Sequence, residues 1–77
     1  ERITIYIDPL RLSKTTVEDL STLVNDNPGD TQLYISLHRP DNKGEVLMRS
    51  GNKSINVTHK IIELIDDDEA LSYTINQ

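Results

Sequence analysis

The residue pattern predicts an α+β domain: a mixed sheet with two helices packed on one face. Three observations carry that expectation. Residues 3–8, 32–39 and 70–75 alternate apolar with other residues, as half-buried strands do. Residues 17–24 and 61–65 set apolar side chains at helical spacing. Clusters of Pro, Gly, Asn and Asp separate the segments. The expected order over residues 1–77, read as a single domain, is β-α-β-β-β-α-β.

The first strand places Ile3, Ile5 and Ile7 on one face and stops at Asp8-Pro9, because Pro lacks the ladder donor. Leu10 and Leu12 lead to a helix whose start is assigned to Thr15, with Glu18 at capping-box spacing. Val17, Leu20, Leu23 and Val24 form its apolar stripe. Asn27-Pro28-Gly29-Asp30 ends it, Gly29 being read as a turn glycine that accepts positive φ. Gln32 to Arg39 alternates with Leu33, Ile35 and Leu37 inward. Pro40 to Gly44 reverses the chain, and Glu45 to Arg49 returns with Val46 and Met48 inward. A second turn at Ser50–Lys53 precedes a short strand at Ser54–Val57. Thr58 or Asn56 caps a second helix bearing Ile61, Ile62, Leu64 and Ile65, closed by Asp66–Glu69. A last strand carries Leu71, Tyr73 and Ile75. If each helix links parallel strands through a right-handed crossover, both lie on one side of the sheet.

Composition narrows the possible functions. A chain of 77 residues buries roughly 60 to 65% of its unfolded surface, so nearly every large aliphatic residue belongs to the core. Trp, Phe and Cys are absent, which leaves an aliphatic core and no disulfide or thiolate metal site, and fits a reducing compartment. No apolar run reaches the ~20 residues that span a bilayer. The chain opens on Glu1 without a signal-peptide pattern, so a piece of a longer, cytoplasmic protein or a processed product is expected. Net charge is −5, and Asp66–Glu69 account for −4 of it. The basic residues are scattered, whereas nucleic-acid-binding domains cluster theirs, so direct DNA binding is not expected.

The candidate chemical motifs have simple local explanations. Asp66–Glu69 lacks the spaced ligands and bend glycine of a calcium loop and reads as a solvated linker. His38 and His59 lie far apart, and Ser36 and Ser54 have no nucleophile-elbow context. Gly29, Gly44 and Gly51 make no phosphate-cradling cluster, and the sequons at Asn52 and Asn56 are short enough to arise by chance. Gln32–Leu37 has part of the pattern of a clamp-docking peptide but alternates as a core strand. No catalytic residue, cofactor site or metal site is expected.

One combination is more specific. Ile5–Asp8, Arg11-Leu12, the helix Val17–Val24 and above all Asn27-Pro28-Gly29-Asp30-Thr31 before Leu33-Tyr34-Ile35 resemble the C-terminal domain of the bacterial DNA polymerase III alpha subunit. Ser54–Val57, Thr58–Ile65 and the last strand fall in register with it. The resemblance implies a non-catalytic interaction domain within a replicative polymerase, a DNA-directed nucleotidyltransferase whose palm carboxylates lie far upstream. It also implies the tau subunit of the clamp loader as partner within the replisome, with no cofactor, membrane or small-molecule ligand. Some family members end in a clamp-binding peptide; Thr74-Ile75-Asn76-Gln77 is not one, so only the partner role carries over. Tyr6 and Tyr34 are the candidate protein-binding residues, because alternation points them away from the Ile/Leu face on strands expected to be neighbours. The alternative reading is a stand-alone ligand-sensing or dimerisation domain, which calls for a pocket with convergent polar groups.

Overall fold

A computed structural model of the chain describes residues 1–37 and 48–76. Its elements are β1 (Arg2–Ile7), α1 (Lys14–Asp26), β2 (Pro28–Leu37), β3 (Met48–Ile55), α2 (His59–Asp67) and β4 (Leu71–Ile75). The strands form one mixed sheet in the order β3-β2-β1-β4. β1 and β2 run parallel, while β3 pairs antiparallel with β2 and β4 antiparallel with β1. Each helix therefore joins two strands of the same direction: α1 links the adjacent β1 and β2, and α2 links the two edge strands.

The alternation in β1 sets the core. Ile3 and Ile5 are fully buried and Ile7 nearly so, and they share one cluster with Leu20 and Val24 of α1 and Ile61 and Ile65 of α2. Both helices therefore cover the same face of the sheet, as the pattern predicts. Fully burying each Ile stabilises the fold by about 1.5–3 kcal/mol, the dominant local term in a chain without Phe or Trp. The opposite face is polar in composition, yet its centre is not solvated. Thr4 and Ser36 are buried there, and Ser36 Oγ has no hydrogen-bond partner among the described residues.

The structure corrects several local expectations. The cap of α1 is Ser13, whose Oγ accepts from the Thr16 N–H at 3.1 Å, and Thr15 lies inside the first turn. Thr16 is buried because its hydroxyl, 2.9 Å from Ser13 Oγ, also donates to Asp68 at the end of α2. Gly29 belongs to β2, and its φ lies outside the left-handed region. Its missing side chain serves close approach instead, since a Cβ there would stand 2.6 Å from the backbone nitrogen of Asn56. That nitrogen donates to the Asn27 carbonyl at 2.7 Å, which draws the two segments together.

Residues 48–55 form one strand rather than two strands separated by a turn at 50–53. The turn signal at Gly51-Asn52 coincides with a register shift. Leu33 faces Lys53 and Ile35 faces Ser50, so one extra residue is accommodated on β3 as a bulge. Thr58 caps α2 as expected, accepting from the Ile61 N–H at 3.3 Å. The turn at Pro40–Gly44, the strand start at Glu45, His38 and the orientations expected of Val46 and Met48 lie outside what the structure describes.

Candidate partner-binding surfaces

The two tyrosines lie on the sheet face opposite the helices. In the parallel register of β1 and β2, Tyr34 stands beside Thr4 and Tyr6 beside Ser36, so the rings are diagonal neighbours on one face. Both are half-buried. The guanidinium of Arg2 lies 5.6 Å from the Tyr34 ring centroid, a cation–π contact worth about 0.5–1 kcal/mol at an exposed site. The Tyr6 hydroxyl is 3.4 Å from Thr74 Oγ1 on β4, which holds the phenol over the β1–β4 pair. Around the rings, Arg2, Gln32 and Ser72 are exposed. This is a sheet-borne aromatic pair with polar surroundings, suited to burial against another protein. Among the described residues, those around the rings include no His, Asp, Glu or Lys.

A second feature went unread in the sequence. A cleft of about 310 Å³ opens between α1 and the β2–β3 half of the sheet. Leu12, Val17, Leu20, Val24, Leu33 and Ile35 supply most of its wall, with Asn25 and Lys53 among its polar lining. The signal was Val17: it belongs to the apolar stripe yet stays 47% exposed, because the stripe is wider than the area one helix buries over β1 and β2. The local pattern places Lys53 in a turn, but on β3 it pairs with Leu33, and its Nζ donates to Asn25 Oδ1. The convergent polar groups required by a ligand-sensing pocket are thus few, and two of them bond to each other.

The acidic run is built into the fold, not a linker. Asp66 and Asp67 lie in the last turn of α2, and Asp68 caps it, its N–H donating to the Ile65 carbonyl at 3.3 Å. Asp68 Oδ1 also accepts from the Ala70 N–H at 2.9 Å, turning the chain into β4. Glu69 is exposed and 3.7 Å from Arg11, whose Nε is 3.6 Å from Asp8. His59 sits at the exposed start of α2, 2.7 Å from Glu63 on the same helix. Among the described residues no group of three or more His, Cys, Asp or Glu could hold a metal ion, and no helix is long and apolar enough to cross a membrane.

Residues 3–76 match the family model described as DNA polymerase III alpha subunit, C-terminal domain, so the match covers essentially the whole chain. No curated protein and no solved structure matches it.

Proposed function

From the premise that this chain belongs to the family of C-terminal domains of the DNA polymerase III alpha subunit, we propose that it couples a replicative polymerase to the tau subunit of the clamp loader. The observation that carries this reading is the continuity of the family match over residues 3–76. In it, nucleotide transfer belongs to the parent polymerase chain, and this domain contributes a docking surface within a cytoplasmic, bacterial replisome. It needs no cofactor, small-molecule ligand or membrane, and it does not bind DNA directly. A net charge of −5 supports that last point, since phosphate would be repelled.

Tyr6 and Tyr34 are the proposed anchors. Two rings on adjacent, hydrogen-bonded strands lose little conformational freedom when a partner covers them, which is what makes rigid aromatics effective in interfaces. The test is surface plasmon resonance between the chain and purified tau. Saturable binding that weakens about tenfold or more in Tyr34→Ala, with the circular dichroism spectrum unchanged, supports both the role and the surface. Binding that ignores Tyr34→Ala and Tyr6→Ala keeps the role and moves the surface elsewhere. No binding to tau rejects the role.

A further inference from the structure

β4 is one edge of the sheet, and the hydrogen bonds at its two ends establish which of its backbone groups face outward. The Asp8 N–H donates to the Ala70 carbonyl at 2.8 Å, and the Asn76 N–H donates to the Arg2 carbonyl at 2.7 Å. Between these bonds the antiparallel register runs without a shift, Ser72 opposite Tyr6 and Thr74 opposite Thr4. Hydrogen-bonded pairs recur at every second residue of such a ladder. Ala70, Ser72, Thr74 and Asn76 therefore turn their backbone groups to β1, while Tyr73 and Ile75 turn theirs to the open edge. On the helix side of the sheet, Tyr73 packs against the core and Ile75 is 37% exposed.

Natural sheets guard such edges with charges, prolines or bulges. The other edge does so: β3 has its register shift and Lys53 standing on the helix side. Leu71–Ile75 has no charge, no proline and no shift. Asp66 and Asp67, both exposed, end the helix that leads into it, and exposed Glu69, 3.7 Å from Arg11, follows them.

We propose that the open edge of β4 accepts an extended, basic segment of another protein as an additional strand. The proposal goes beyond the coupling role and concerns a different surface from the tyrosine face. Charge selects the occupant. A second copy of this chain would bring another −5 to an edge that already stands beside exposed carboxylates, so like charges oppose self-pairing. A segment with Lys or Arg at one end is attracted to the carboxylates beside the strand. Its backbone pairs with Tyr73 and Ile75, and apolar residues at alternate positions extend the apolar surface that Ile75 leaves exposed.

The test uses two synthetic peptides of alternating Val and Thr, one ending in three lysines and the other in three glutamates. Amide hydrogen exchange is followed by NMR on the labelled chain at low salt. Fast exchange of the Tyr73 and Ile75 amides is expected in the free chain and protection on adding the lysine-ended peptide, with Thr74 protected in both. That peptide should bind about tenfold or more tightly than the glutamate-ended one. Ile75→Pro removes an outward N–H and should abolish binding. Because that variant can also disturb folding, the exposed pair Asp66→Lys with Asp67→Lys supplies a second check: it should reverse the preference between the peptides. Equal binding of both peptides, protection confined to other strands, or protection of Tyr73 and Ile75 by self-association without peptide would overturn the proposal.

Discussion

Gly29 shows how a single side chain, or its absence, fixes a crossing of segments. The start of β2 passes so close to the backbone following β3 that any Cβ at residue 29 would collide with Asn56. Gly29→Ala should therefore destabilise the chain by about 1–3 kcal/mol, the usual cost of overpacking, read as a lower urea midpoint. An unchanged midpoint would mean that the two segments separate freely. The sequence flagged this glycine but assigned the wrong cause. A turn glycine and a close-approach glycine look alike until the partner segment, 27 residues further on, is in place. Ser36 was equally illegible: alternation put it on the outer face, and nothing local says that the centre of that face is covered.

At the scale of elements, helix starts and strand ends separate what local pattern can reveal from what pairing decides. Ser13 and Thr15 are both plausible caps by residue type. Tertiary structure chooses Ser13, because Thr16 must then point inward, where its hydroxyl joins the start of α1 to Asp68 at the end of α2. Ser13→Ala is expected to cost about 1 kcal/mol in chemical denaturation and Thr15→Ala close to nothing. The reverse order would return the cap to Thr15. β3 makes the same point from the other side. Gly51-Asn52 reads as a turn, but the neighbouring β2 offers continuous pairing, and the irregularity survives only as a bulge. Period-two and period-3.6 patterns were legible throughout; cap choice and strand continuity were not, since both depend on contacts distant in sequence.

For the whole molecule, a core built from aliphatic side chains leaves a narrow stability margin. Domains are stable by roughly 0.05–0.15 kcal/mol per residue, and Ile5, fully buried at the centre of β1, touches both the sheet and the helices' shared cluster. Ile5→Ala should cost about 2–5 kcal/mol, a large part of the total, and lower the thermal midpoint sharply in calorimetry. A loss under about 1 kcal/mol would contradict the packing described here. Fold class, the shared helix face and the family were all legible in the chain, because each follows from patterns spread over its whole length. The cleft beside α1 was not, because it arises from how far one helix reaches across the β2–β3 half of the sheet.

The proposed coupling of a polymerase to its clamp loader requires this domain to present a docking surface to tau. An NMR titration of the isotope-labelled chain with purified tau reads that contact residue by residue. Saturable shifts are expected, centred on the amides of Tyr6, Tyr34 and their neighbours on β1 and β2. A spectrum that does not change as tau is added would rule the coupling out.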